Sequence, residues 1–283
     1  MAHLSCNIPD SIWHALSEHA RESGEPLAHI VTRALADHLD VSHATIYQVS
    51  TSGALVEGVY EGAVRISSLR RHGNLGLGTF DHLDGEMVVV DGEFYQVKSD
   101  GTVSRAADNM LSPFAVVVDF TPTQSEAQPR VADVAELEQA FDRMRDSQNF
   151  FFALRADGDF DRVKTRAMCR TAEGVPLAAA AAHQPEFEFG PVAGTLVGFW
   201  SPQYTKTLNV PGYHLHFIDR ERRRGGHLLE CTARDLTLSI ERIPSLTVAM
   251  PETHDFIKAD FTRDPSADLD YAEKSHGKKK PDK

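Results

Sequence analysis

The chain has 283 residues, of which 41% are hydrophobic, so it is long enough for one large or two ordinary globular domains. Its net charge of -12 argues against nucleic acid or an anionic membrane as the main partner. The three cysteines are widely spaced and form no disulfide framework, which favours a reducing compartment. The sequence has neither an apolar run of membrane-spanning length nor a recognisable signal peptide, so we expect a cytoplasmic protein without a membrane partner.

Residues 1–45 predict a small strand–helix–helix extension. Apolar and polar residues alternate over 4–8, which indicates a short strand. Apolar residues at helical spacing then predict helices over 9–24 and 25–40. This order of elements resembles a ribbon-helix-helix module. The resemblance implies that two copies pair their strands and, as in many such modules, that they bind DNA.

The charge of this extension argues against DNA as its main partner. Residues 1–45 contain two arginines and six acidic side chains, a net charge of -4. A module that binds phosphates is expected to carry the opposite sign. We therefore favour oligomerisation or docking for this segment, and DNA binding is the less favoured alternative.

From Ile46 onward, short apolar stretches are broken by glycine and aspartate, a pattern typical of β-strands. In the first half we predict strands within 46–62, 85–103 and 112–120, a loop over 121–130, and an amphipathic helix over 132–149. In the second half we predict a short helix that ends before Gln184-Pro185, and strands within 149–168, 195–202, 212–219, 226–231 and 235–243.

Three histidines surround a charged, glycine-bearing turn in the stretch GYHLHFIDRERRRGGH. His214 and His216 lie two residues apart, so a strand would place both imidazoles on one face, roughly 6.5 Å apart along it. A hairpin through RERRRGG would return His227 beside His216. Three neutral imidazoles that leave one coordination position open are typical of a catalytic zinc site.

Other interpretations of this stretch stay open on the residues alone. The chain contains 14 histidines, so a pair spaced by one residue also arises by chance. HLHFIDRE matches the opening of a cupin motif with Glu221 as fourth ligand, although Leu228 stands where that motif has glycine. Cys231 follows the turn closely, and we interpret it as a buried, inert thiol.

Beyond the histidines, residues 46–274 resemble the α-acetolactate decarboxylases. Separate blocks agree with that family in order and separation, and none of them falls within residues 1–45. The blocks are IYQVSTSGALVEGVYEG, HGNLGLGTFDHLDGEMVVVDGEFYQV, FFALRADGDFDRVKTR, HQPEFEFGPVAGTLVGFWSP and GYHLHFIDRERRRGGHLLE.

The resemblance implies a function and a cofactor. The family converts 2-acetolactate to acetoin and CO2 with a Zn²⁺ ion that is held by three histidines. Carried over to this chain, the ligands are His214, His216 and His227. The small molecule acetolactate is then the partner, and a homodimer is the family expectation.

The resemblance also implies the other site residues. An arginine near the substrate corresponds to Arg166, and a catalytic glutamate corresponds to Glu86. A C-terminal glutamate that folds back over the metal corresponds to Glu273, with Asp270 as the alternative. Thr79 matches a threonine near the substrate.

Acetolactate is a 2-hydroxy-3-oxo acid, and its chemistry agrees with such a site. When CO2 departs, an electron pair moves toward the ketone oxygen, and a zinc ion that chelates the hydroxyl and ketone oxygens stabilises the enediolate. Arg166 suits the substrate carboxylate because its guanidinium binds in a fork. Glu86 or Glu273 then delivers a proton to carbon.

The fold implied by the resemblance is α+β, with two β-rich subdomains and the zinc site at their cleft. We expect an extension over 1–45, a mixed sheet with a linking helix over 46–147, a barrel-like sheet over 148–275 and a disordered tail over 276–283. An alternative function is a ligand-sensing or DNA-associated regulatory protein on a decarboxylase scaffold.

Overall fold

The computed structural model describes residues 5–39 and 44–273, and the chain divides into two compact units between residues 43 and 44. In the first unit, helix α1 spans Asp10–Ser23 and helix α2 spans Leu27–His38, as predicted. Gly24 ends α1 in the left-handed conformation that glycine adopts without steric cost. Residues 5–8 of the predicted strand form no regular element, because a strand needs a neighbour to pair with. Residue 4 and the predicted tail 276–283 lie outside the described residues.

The second unit combines strands with short helices. Its strands are β1 (Thr45–Val49), β2 (Val64–Arg65), β3 (Leu75–Thr79), β4 (Glu86–Val90), β5 (Glu93–Val97), β6 (Val103–Arg105), β7 (Leu111–Ser112), β8 (Ala115–Val118), β9 (Gln124–Val131), β10 (Phe151–Arg166), β11 (Glu186–Phe189), β12 (Val192–Ser201), β13 (Gly212–Asp219), β14 (Gly225–Ile243) and β15 (Ser245–Ala249). Its helices are α3 (Ser52–Val56), α4 (Ile66–Leu69), α5 (Val134–Met144), α6 (Leu177–Ala181), α7 (His254–Lys258) and α8 (Ser266–Glu273). Within the described ranges, no helix is both long and apolar enough to cross a membrane.

Seven strands form a mixed sheet in the order β15–β1–β8–β3–β4–β5–β6. The pairing of β1 with β15 is parallel, and the other pairings are antiparallel. The prediction of strands within 46–62 is only partly correct, because helix α3 follows β1. The Thr51 side chain accepts a hydrogen bond from the Ala54 amide and caps this helix, so local capping overrides the extended pattern.

The second sheet has the order β11–β10–β12–β13–β14–β9, and β10 also pairs with β14. Strands β10, β12, β13 and β14 therefore close into a ring. The prediction of a loop over 121–130 is wrong, because β9 pairs with β14 along the edge of this sheet. Pro129 has no partner in that register, which agrees with the preference of strand prolines for edges.

The two sheets exchange strands along the sequence. Strand β9 precedes α5 but belongs to the second sheet, and β15 follows the second sheet but belongs to the first. The mixed α and β architecture agrees with the expected fold class. The predicted limits between the subdomains stay a prediction.

Side chains alternate along each strand, so the two faces of a strand pack into different hydrophobic cores. In β4, Val88 and Val90 belong to a core that includes residues of both sheets, whereas Met87 and Val89 belong to a core on the other face of the first sheet. A third core joins the closed strands to the apolar face of α5. Strand β13 contributes Tyr213, Leu215 and Phe217 to that third core, so its remaining side chains point away from it.

Replacing Phe160 by alanine should test the closed arrangement of the second sheet. Its ring is fully buried and meets Phe217 edge to face at 5.0 Å between centroids, so Phe160→Ala should lower the free energy of unfolding by about 3–5 kcal/mol. Urea unfolding checks this, with Met250→Ala as the control because Met250 is 53% exposed. Equal midpoints for the two variants would contradict the assigned packing.

Candidate metal centre and active site

The three predicted histidines come together on adjacent strands. His214 and His216 lie on the face of β13 that is turned away from the third core, as their two-residue spacing requires. His227 stands directly opposite His216 in the antiparallel register of β13 and β14. The ring centroids lie 5.1–5.4 Å apart, and one nitrogen from each ring lies within 4.8 Å of the others. The predicted hairpin is therefore confirmed.

Hydrogen bonds to carbonyl oxygens fix the tautomers of two of these rings. His216 donates from Nδ1 to the Met87 carbonyl at 2.8 Å, and His227 donates from Nε2 to the Glu273 carbonyl at 2.9 Å. The lone pairs of His216 Nε2 and His227 Nδ1 are therefore free to bind a ligand. Burial, aided by the Arg166 cation, lowers the pKa of His214 to about 3. It also holds the pKa values of His216 and His227 well below the usual value, so all three rings are neutral.

Two carboxylates from distant elements approach the same ring nitrogens. Glu273, on α8, places Oε2 at 3.4 Å from His214 Nε2 and at 3.6 Å from His227 Nδ1. Glu86, on β4, places Oε2 at 3.7 Å from His216 Nε2. Three neutral imidazoles and two carboxylate oxygens form a donor set that suits a divalent cation such as zinc. The buried Nε2 atom of His216 has no hydrogen-bond partner among the described residues, which also fits a metal ligand.

Burial sets the charge preference of both carboxyl groups. It raises the pKa of Glu86 to about 8, and the neighbouring Glu273 charge raises it further. Arg166 and a hydrogen bond of 3.0 Å from the Met168 amide oppose this rise. Burial also raises the pKa of Glu273, against the attraction of Arg166. A cation bound beside these groups would favour their charged forms.

Arg166 lies at the end of β10, opposite His227 in the register with β14. Its side chain is almost fully buried, and its Nη2 atom donates to the Ala272 carbonyl of α8. Its Nη1 atom has no hydrogen-bond partner among the described residues and is available to an anionic ligand. One guanidinium nitrogen is thus engaged by the protein. The two-nitrogen contact with a substrate carboxylate that we expected from the sequence is therefore only partly available.

Thr79 lines the same cavity from β3, opposite Glu86 in the register with β4. Its hydroxyl donates to the Gly85 carbonyl at 2.7 Å. The hydroxyl proton is therefore engaged, and the oxygen can serve a ligand only as an acceptor.

The positions of Asp270 and Glu221 decide two alternatives that the sequence left open. Asp270 is exposed on α8 and does not line the cavity, whereas Glu273 does. The cupin alternative is wrong, because Glu221 is 70% exposed in the turn and contacts Arg223 at 3.5 Å. Cys231 belongs to the third core, where burial raises the pKa of its thiol to about 12, in line with the expected inert thiol.

The cavity also has walls that sequence reasoning missed. Helices α3, α6 and α8 contribute the apolar side chains Leu55, Leu177 and Leu269, and Ser52 and Gln184 add polar atoms. Ser52 and Leu55 fall within the block IYQVSTSGALVEGVYEG and Gln184 within HQPEFEFGPVAGTLVGFWSP, but nothing in these blocks marks the three residues as cavity walls. Only their three-dimensional proximity reveals them.

Residues 44–273 thus define an α+β protein with a buried three-histidine candidate metal centre, at which two carboxyl groups and one arginine converge. A family model described as alpha-acetolactate decarboxylase matches residues 46–263. The chain therefore belongs to the alpha-acetolactate decarboxylase family, a family of carboxy-lyases, and the resemblance noted in the sequence is confirmed.

Individual relatives agree with this assignment. The chain is 41% identical over 229 residues to the alpha-acetolactate decarboxylase of Methylococcus capsulatus, which covers 81% of this chain and 88% of that protein. It is 38% identical over 230 residues to the enzyme of the same name from Bacillus licheniformis, with 81% and 91% covered. The crystal structure of alpha-acetolactate decarboxylase from Bacillus subtilis strain 168 superposes with a TM-score of 0.79 at 38% identity, over 82% of this chain and 100% of that one.

Removing one imidazole should abolish tight metal binding. The loss of a hydrogen bond that supports a metal ligand lowers metal affinity roughly 10–100-fold. We expect His216→Ala to lower the affinity for zinc by more than this, because it removes a ligand itself. Metal analysis after dialysis measures this. His183→Ala is the matched control, because His183 is exposed and does not line the cavity. Unchanged zinc content in His216→Ala would exclude this histidine as a ligand.

Proposed function

We propose that this protein converts 2-acetolactate to acetoin and CO2 with a zinc ion bound by His214, His216 and His227. One observation carries this proposal. The three histidines, Glu86, Glu273 and Arg166 all line a single buried cavity. Family membership supports the same reaction, since the relatives are named for it.

The reaction requires an electron sink, a carboxylate contact and a proton donor. When the bond between C1 and C2 breaks, CO2 departs and the electron pair moves toward the ketone oxygen, which leaves an enediolate. A zinc ion bound at this site would supply Lewis-acid stabilisation of that charge. The free Nη1 atom of Arg166 orients the substrate carboxylate through a charge-assisted hydrogen bond. The apolar walls from α3, α6 and α8 exclude water and strengthen these interactions.

A protonated carboxyl group completes the reaction by delivering one proton to C2, which yields acetoin. Glu86 and Glu273 are the two carboxyl groups in the cavity, and burial favours the protonated form of each in opposition to a bound cation. The Met168 amide fixes Oε1 of Glu86, which leaves Oε2 turned toward the histidines. We assign proton delivery to this pair of glutamates.

Acetoin formation should depend on the metal. Purified protein incubated with 2-acetolactate should release acetoin, lose this activity after dialysis against a chelator, and regain it when zinc is added back. Colorimetric acetoin detection measures all three states. Activity that persists without metal would remove zinc from the reaction, and an intact, metal-loaded protein that forms no acetoin would favour the ligand-sensing alternative.

Replacing the proton donor should slow turnover more than binding. We expect Glu86→Gln or Glu273→Gln to reduce kcat by roughly 100-fold or more, the usual contribution of general acid catalysis. The donor must be protonated, so in the wild type kcat should fall as pH rises through the donor's pKa.

Glu241→Gln is the matched control for this experiment. Glu241 is also a buried carboxyl group, whose pKa burial raises to about 7, but it lies outside the cavity and accepts a hydrogen bond from the Thr121 amide. Its replacement should leave kcat unchanged. Wild-type turnover in both cavity variants would refute proton delivery by these residues.

Three expectations from the sequence stay predictions. These are the homodimer, the cytoplasmic location and the role of residues 1–45. Oligomerisation or docking remains the favoured role for the extension on the basis of its net charge of -4.

A further inference from the structure

Buried polar atoms without partners are concentrated in the cavity. Among the described residues, several buried side-chain nitrogen and oxygen atoms have no hydrogen-bond partner. Five of them belong to residues that line the cavity, namely Ser52, Arg166, Gln184, His214 and His216. An unpaired buried polar atom is costly, so such a concentration points to a ligand that supplies the missing partners. The proposed function gives roles to the arginine and the histidines, but none to Ser52.

The surroundings of Ser52 make its unpaired hydroxyl stand out. The neighbouring Gln48 side chain donates to the carbonyls of Ser50 and Leu208 and accepts from Asn209. The Thr51 side chain also has a partner, since it caps α3. The local network is therefore complete except for one atom, the Oγ of Ser52, which is fully buried.

The backbone holds Ser52 in a fixed place at the start of α3. Its amide donates to the Leu208 carbonyl at 3.1 Å, and the next amide, of Gly53, donates to the Thr207 carbonyl at 3.3 Å. Ser52 is thus anchored before any ligand arrives, so its hydroxyl can position a substrate at little entropic cost.

We propose that Ser52 is a substrate-positioning residue whose hydroxyl donates a hydrogen bond to a carboxylate oxygen of the bound 2-hydroxy-3-oxo acid. This inference rests on the proposed function. Because Arg166 gives Nη2 to the Ala272 carbonyl, its free Nη1 accounts for one carboxylate oxygen, and the other needs a further donor. The Thr79 hydroxyl is engaged with Gly85, so the Ser52 hydroxyl is the donor that remains available.

Ser52→Ala tests this proposal because a structural role predicts the opposite result. A buried hydroxyl that finds its only partner in the substrate destabilises the substrate-free protein. The metal-loaded variant without substrate should therefore unfold at a temperature no lower than that of the wild type. Its KM should rise roughly 10–100-fold, as for a lost hydrogen bond to a charged group. Its kcat should fall less than about twofold, because the carboxylate loses charge as CO2 departs and the contact is no stronger in the transition state than in the ground state.

Ser201→Ala is the matched control. The Ser201 hydroxyl is also buried and without a partner among the described residues, but Ser201 does not line the cavity. Its removal should leave KM unchanged. Equal effects of the two serine variants on KM, or a wild-type KM in Ser52→Ala, would overturn the proposal.

A non-reacting probe separates this proposal from the proposed function. The anion 2-hydroxy-2-methylpropanoate carries the carboxylate and hydroxyl groups but lacks the ketone that accepts the electron pair, so it should bind without decarboxylation. Calorimetry should show weaker binding of this probe to Ser52→Ala than to the wild type or to Ser201→Ala. If the wild type forms no acetoin, the proposed function fails, and this comparison still decides the role of Ser52. Equal affinity of all three proteins for the probe would overturn the proposed role of Ser52.

Discussion

The antiparallel pairing of β13 with β14 is the constraint on which the site depends. The two-residue period of β13 separates two imidazoles from the apolar core, and the register sets the third imidazole opposite one of them. A shift of one residue in that register would turn His227 to the opposite face of the sheet. Closure of the ring through β10 and β14 stabilises the register, and the same pairing brings Arg166 opposite His227.

Burial determines which charges this site carries. Without a cation, desolvation favours neutral histidines and raises the pKa values of Glu86 and Glu273, whereas the Arg166 guanidinium stays protonated. A divalent cation would act against the preference of the carboxyl groups but not against that of the imidazoles, which bind metals in the neutral form. The same low-dielectric cavity therefore keeps the three imidazoles neutral and favours protonated carboxyl groups.

Sequence reasoning succeeded where the signal was local. The spacing of His214 and His216 and the glycine-bearing turn predicted the hairpin, because strand periodicity is a property of neighbouring residues. Recognition of the family extended the prediction to Glu86 and Glu273, which are far apart in sequence. Reasoning failed at α3, where the Thr51 cap outweighed an extended pattern, and at β9, a polar edge strand that depends on its pairing with β14. The role of Ser52 was missed although the residue lies in the block IYQVSTSGALVEGVYEG, because its burial arises from contacts between distant segments.

Helix α8 is the last part of the site along the chain. Its last turn offers the Ala272 carbonyl to Arg166 and the Glu273 carbonyl to His227, so two strand residues hold a helix whose last residue lies 46 residues beyond His227. During synthesis, the imidazole trio leaves the ribosome before the segment that covers it. A chain cleaved just ahead of α8 would keep the three imidazoles yet lose Glu273, the carbonyl that orients His227 and a wall of the cavity, so proteolysis there would remove the cover of the site and leave its strands in place.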